Sequence, residues 1–295
     1  MAIYALHSAI DADAHPDSSD RSSPADAPLI DETQERFRCG LEWAGSFAVK
    51  TRSRQLAGTR AWTTGEGPTV VVVHGGPGFN HKYLRPSLVP LGAHFHLVFY
   101  DQRSRGAVTP AVLTEQLRRI LSACGKSDGT PFVLAHSWGT YLAFACLTSA
   151  SRPEVRGALL LSPVPLTLGG FNRATARFDR LLPKPSPTDL QELFPYYLAK
   201  QNRGRTSIAV PQFDAAMYRK VMDALQRSSY DFRDTSRLVP KRTHLVFGKE
   251  DQLSRASDFK RISRRVAIEN IPGAAHFAFA EQPEAFRRVV VKAFA

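Results

Sequence analysis

Cysteine is scarce. The 295 residues hold three, Cys39, Cys124 and Cys146. An odd number without metal-ligand spacing argues against a disulfide framework or a zinc site, and fits a reducing, cytoplasmic setting with the thiols as core packing. Long apolar runs are missing as well. None approaches the roughly 18 residues that a membrane span needs, so no membrane association is expected. The start, "MAIYALHSAI", has no basic stretch, and Asp11 and Asp13 follow at once, unlike a secretory signal. No glycine-rich loop carries the lysine of a phosphate-binding turn, so neither a nucleotide nor any other cofactor is expected, and no metal. No internal repeat stands out.

Charge is unevenly spread. The chain carries a formal +12, but residues 1–35 hold eight acids against one base. That segment is −7 and leaves +19 for the rest. Such an excess raises nucleic acid as a partner. The basic residues are nonetheless dispersed in ones and twos, "KRISRR" at 260–265 being the densest run, with no zinc-finger or RNA-recognition spacing. A solvated basic surface is the plainer reading, and nucleic acid is not expected. A small-molecule substrate is expected, and a basic rim would also suit an acidic or carrier-bound one.

What is present is a pattern of alternation. Residues 1–37 are rich in Asp, Ser, Pro and Ala; that composition buries too little apolar surface to offset ordering entropy, and predicts disorder. Residues 38–64 read as an antiparallel start. Six apolar runs follow: "TVVVVHGG" (69–76), "FHLVFYD" (95–101), "PFVLA" (131–135), "RGALLLSP" (156–163), "THLVFG" (243–248) and "RVAIENI" (265–271). Helical stretches are predicted near 80–92, over 113–123, after Ser137, near 254–264 and from Pro283 onward. Strands alternating with helices predict an α/β fold, its mostly parallel sheet covered on both faces. The pattern breaks over 164–240, where prolines, aromatics and helical stretches replace valine-rich strands. This predicts an inserted helical cap on a core of 38–163 and 241–295, covering a site at the strands' C-terminal ends.

The chemistry centres on "FVLAHSWGT" (132–140). Ser137 ends a strand and precedes a helix, as the serine of a nucleophile elbow does. Gly139 supplies one of the two small residues that such a turn needs, and Ala135 stands where glycine is usual. A serine needs a base, and the base an orienting acid. Asp251 in "VFGKEDQLS" follows the fifth run and His276 in "IPGAAHFAF" the sixth, in the order Ser, Asp, His. Glu250 competes with Asp251 as the acid. "HGGPG" (74–78) offers backbone donors, and the amides of Gly76 and Trp138 are the expected oxyanion pair. Phe79, His136, Phe171 and Tyr197 are candidates for contact with the substrate, and Phe178, Phe194 and Tyr196 add to an aromatic cap that suits an apolar acyl group.

The ordered set HGGPG, YDQR, HSWG, G-x-x-D and GAAH resembles the α/β-hydrolase fold from about residue 40 onward. Within it, HGGPG with DQR and SWG is similar to the proline iminopeptidase group of serine peptidases. That resemblance implies cleavage of an amide or aminoacyl substrate whose free amine is held by a tryptophan–glutamate element of the cap. This chain's tryptophans are Trp43, Trp62 and Trp138, all outside 164–240, and its DQR continues as "SRGAVT". Glu192, Asp189 and Asp179 are the cap acids that could replace the anchor. An esterase, lactonase, thioesterase or acyltransferase uses the same triad, and a non-catalytic receptor uses the same fold.

Overall fold

A computed structural model describes residues 51–187, 189–206, 208 and 212–295, and for Ser236 and Arg237 the backbone only. The expected acidic, disordered segment 1–37 lies outside these residues, as does the first part of the antiparallel start.

The sheet has eight strands: β1 (Arg52–Leu56), β2 (Thr59–Thr64), β3 (Thr69–Val73), β4 (His96–Tyr100), β5 (Phe132–His136), β6 (Gly157–Leu161), β7 (Thr243–Gly248) and β8 (Ala267–Ile271). Their order is β1-β2-β4-β3-β5-β6-β7-β8. Pairing is antiparallel from β1 through β2 to β4 and parallel from there to β8. All six apolar runs are strands. Val70 to Val73 of β3 are fully buried, because helices cover both faces of a central parallel strand. Burying each such side chain stabilises the fold by roughly 1.5–3 kcal/mol. β8 differs from its neighbours: only Ile271 is buried, as suits an edge strand.

The helices are α1 (Arg85–Leu88), α2 (Pro110–Ser127), α3 (Trp138–Leu147), α4 (Leu168–Asp179), α5 (Leu190–Leu193), α6 (Ala215–Ser228), α7 (Ala278–Glu281) and α8 (Pro283–Phe294). α2 starts on a Thr109 side-chain cap with Pro110 in its first turn. It buries Leu113, Leu117, Ile120, Leu121 and Cys124, one stripe at helical spacing. Of the expected helical stretches, one is broken into short pieces and one is reduced to a 3-10 turn. The stretch near 80–92 is broken into α1 and two 3-10 turns, with Pro86 and Pro90 each at the start of a new piece. The stretch near 254–264 is a 3-10 turn, Ala256–Phe259, followed by further turns. There the Asp251 carboxylate draws in the amides of Leu253 and Ser254, and the Ser254 hydroxyl donates to the Pro163 carbonyl.

Between β6 and β7 lie α4, α5, α6 and short 3-10 turns, with no strand of the sheet among the described residues. Leu193, Phe178 and Leu182 form a small apolar cluster of their own there. Among the described residues no helix is long and apolar enough to cross a membrane.

Candidate active site

Ser137 stands at the end of β5 with φ +51° and ψ −123°, a conformation a non-glycine residue adopts only when its surroundings hold it. Its amide donates to the Leu161 carbonyl at 3.0 Å, and its carbonyl accepts from the amide and hydroxyl of Thr140 at 2.8 and 2.7 Å. The turn also needs Gly139 bare. A Cβ there would lie 2.5 Å from the Val73 carbonyl oxygen and 2.6 Å from that of His74. Ala135, by contrast, sits buried in β5 between Val73 and Leu160, where its methyl is accommodated.

The structure brings Ser137, His276 and Asp251 together. Ser137 Oγ lies 2.9 Å from His276 Nε2, and His276 Nδ1 lies 2.9 Å from Asp251 Oδ2. The second Asp251 oxygen accepts the amides of Leu253 and Ser254 at 2.8 and 3.1 Å. With Nδ1–H donating to the carboxylate, Nε2 presents its lone pair to the serine hydroxyl, the tautomer a general base requires. Glu250, the competing acid, points elsewhere: its Oε1 accepts from the Gly273 amide at 3.3 Å. The two loops approach closely because Gly248 has no side chain. A Cβ on it would lie 2.0 Å from the Ala275 carbonyl oxygen.

Gly76 has φ +120°, open to glycine, and lines the cavity beside Ser137 together with Trp138. Trp138 opens α3, so its amide has no partner within the helix and sits at the positive end of the helix dipole. The Trp138 indole is turned away from the chemistry. Its Nε1–H donates to Gln102 Oε1 at 3.0 Å, and its ring stacks on Tyr141. Gln102 in turn donates from Nε2 to the His74 carbonyl at 2.7 Å, and from its amide to His74 Nε2 at 3.0 Å. Gln102 therefore ties the 74–78 turn to the start of α3. Only its buried position reveals this role; the sequence signal was the motif itself.

A partly open cavity lies beside Ser137. Phe79, Phe171 and Tyr197 line it, joined by Leu190, Leu193, Phe194, Phe213 and Met222. Among the described residues no carboxylate lines it. Asp189 is exposed and caps α5 through the Glu192 amide at 2.8 Å, Glu192 is itself exposed, and Asp179 lies outside the lining. His136 also borders the cavity, but it is 1% exposed and both its ring nitrogens are engaged, Nδ1 with Tyr83 Oη at 2.8 Å and Nε2 with the His276 carbonyl at 3.0 Å. No ring nitrogen is left for a substrate, so the substrate role expected for His136 gives way to an internal one. Burial holds its pKa well below the ordinary histidine value, so the ring is neutral.

Among curated proteins none matches the chain in sequence. Solved structures do match in shape. A proline iminopeptidase-related protein from Thermus thermophilus superposes with a TM-score of 0.61 at 23% identity, over 83% of this chain and 97% of that one. A hydrolase from Pseudomonas aeruginosa gives 0.62 at 18% identity, over 83% and 98%. A thermophilic esterase from Thermogutta terrifontis gives 0.60 at 18% identity, over 82% and 97%. At such identities these likenesses speak for the fold. The model of the Alpha/beta hydrolase family matches residues 70–289, about three quarters of the sequence, and the chain belongs to that family.

Proposed function

We propose that the protein is a serine hydrolase that works through an acyl-enzyme on a substrate with an apolar, uncharged acyl group. The observation that carries this reading is the Ser137–His276–Asp251 hydrogen-bonded series at the floor of a cavity with no described carboxylate in its lining. Ser137 Oγ attacks the acyl carbonyl as its proton passes to His276 Nε2. The amides of Gly76 and Trp138 receive the developing oxyanion, a contribution of about 3 kcal/mol for a well-placed donor. The imidazolium, steadied by Asp251, returns the proton to the leaving group. Water then attacks the acyl-enzyme, giving its proton to the same nitrogen, and the acid is released with Ser137 restored.

The lining also argues on substrate. An aminopeptidase must neutralise the substrate's ammonium, and burying that charge without a partner costs several kcal/mol. Asp179, Asp189 and Glu192, the acids considered for this task, are all outside the lining. The cavity instead offers aromatic and aliphatic walls, which favour an ester, thioester or neutral amide of an apolar acid.

The test is turnover of medium-chain acyl nitrophenyl esters beside prolyl naphthylamide, with Ser137→Ala as control. Ester hydrolysis and fluorophosphonate labelling, both lost in Ser137→Ala, are expected. Release from the prolyl amide that disappears when its nitrogen is blocked overturns the uncharged-substrate reading. No labelling of folded wild-type protein overturns the hydrolase reading.

A further inference from the structure

Among the described residues two carboxylates are buried, Asp251 and Glu281. Asp251 faces the imidazole of His276. Glu281, the last residue of α7, stands five residues after His276 and is outside the cavity lining. Its Oε1 accepts from the Ala275 amide at 2.8 Å, and its Oε2 accepts from the Ala199 amide at 2.7 Å and from Asn202 Nδ2 at 2.8 Å. Asn202 Nδ2 also donates to the Gly273 carbonyl at 2.7 Å, and the His276 amide donates to the Tyr197 carbonyl at 3.0 Å. Residues 197–202 belong to the inserted helical region, and Tyr197 lines the acyl cavity. Residues 273–276 carry the base. One carboxylate thus takes one edge from each segment.

We propose that Glu281 is a positioning residue: its carboxylate registers the insertion on the His276 loop, so that the imidazole is held at Ser137 only while the segment bearing Tyr197 is seated. This rests on the serine-hydrolase reading above. The chemistry of the pair of edges asks for a carboxylate. N–H donors converge on it from two segments, and only a group with two acceptor oxygens and no hydrogen satisfies both sides. A glutamine of the same volume has one oxygen, and its NH2 would face N–H donors on the other edge. Burial raises the Glu281 pKa against the pull of those donors, so the carboxylate is kept there at a cost. A wall that carries both a cavity residue and the backbone partner of the base couples filling of the cavity to the geometry of proton transfer, where misplacement of an ångström costs about a hundredfold in rate.

The experiment compares Glu281→Gln, Asn202→Ala and Val290→Ala with wild type on one acyl nitrophenyl ester. Val290 is fully buried in α8, takes no part in the Glu281 hydrogen bonds, and reports what loss of core stability alone does. The expected result is a kcat about tenfold lower for Glu281→Gln and about threefold lower for Asn202→Ala, KM within about twofold, with Val290→Ala at wild-type kcat. A Glu281→Gln kcat within about twofold of wild type, or a fall matched by Val290→Ala, overturns the proposal. If Glu281→Gln does not fold, Asn202→Ala decides by the same criterion. Wild-type protein that does not label at Ser137 overturns the hydrolase reading itself, whereas labelled wild type with unaffected variants overturns only the clamp.

Discussion

The hydroxyl of Tyr83 and Nδ1 of His136 lie 2.8 Å apart in the buried floor beneath Ser137. Tyr83 Oη also accepts from the Gly75 amide at 2.7 Å, so its proton goes to His136, and His136 Nε2–H goes to the His276 carbonyl. Ser162 Oγ donates to that same carbonyl at 3.1 Å. One hydrogen-bonded line therefore runs from Gly75 in the 74–78 turn to the loop that carries His276. Tyr83→Phe strands the Gly75 amide and His136 Nδ1 in a dry interior. The expected outcome is a loss of about 2 kcal/mol in urea unfolding, with a lowered kcat for ester turnover. Unchanged stability and turnover would show that the line is idle.

Acid should weaken the fold through the buried histidines. Burial lowers the His74 pKa from 6.5 to about 4, and His136 moves in the same direction for the same reason. Between those two values the unfolded chain binds the proton and the native one does not. The stability is therefore complete above pH 6.5 and drains as the pH falls toward 4. His74 alone should cost about 2 kcal/mol by pH 5. Glu281 acts in the opposite sense. Its raised pKa makes the native state take up a proton first, so it offsets part of the loss. Urea midpoints at pH 7 and pH 5 measure the slope, which His74→Gln should flatten.

Cavity size should set chain-length preference. Phe171 of α4 is half-buried and lines the cavity. Phe171→Ala opens room for several methylenes, each worth about 0.8 kcal/mol when buried. The ratio of kcat/KM for a decanoyl over a butanoyl ester should rise about tenfold or more. An unchanged ratio places the acyl chain elsewhere.

Gly248→Ala should be among the most damaging small changes in the protein. Its methyl has no room beside the Ala274 and Ala275 carbonyls, so the Asp251 and His276 loops must part. Overpacking of this kind costs about 1–3 kcal/mol, and the ester activity should fall further than the melting temperature accounts for. Thermal unfolding and turnover on the same preparation separate the two effects.

The sheet was legible because its strands are apolar runs that both faces bury; Val70 to Val73 admit no other reading. The elbow was legible because its requirements are local: a strand, a serine, and Gly139 two residues on. Asp251 and His276 could be chosen because each follows a strand that ends on the edge where Ser137 emerges. Asp251 was preferred over Glu250 for its three-residue offset from Gly248, and in the fold the two adjacent carboxylates point in different directions, Asp251 to His276 and Glu250 to the Gly273 amide. The helical stretch near 80–92 was legible but its breaks at Pro86 and Pro90 were not, and the stretch near 254–264 is a 3-10 turn that apolar spacing alone does not tell from a longer helix.

Local spacing along the chain determined the strands, the turn at Ser137 and the order of its partners, because these depend on neighbours a few residues away. Tertiary structure alone decided that His136 braces the base loop, that Gln102 holds the Trp138 indole, that Glu281 joins two segments, and that no described carboxylate reaches the cavity. Each of these is a contact between residues tens of positions apart, or the lack of one. A side chain's chemistry there is set by what the folded chain brings within 3 Å of it.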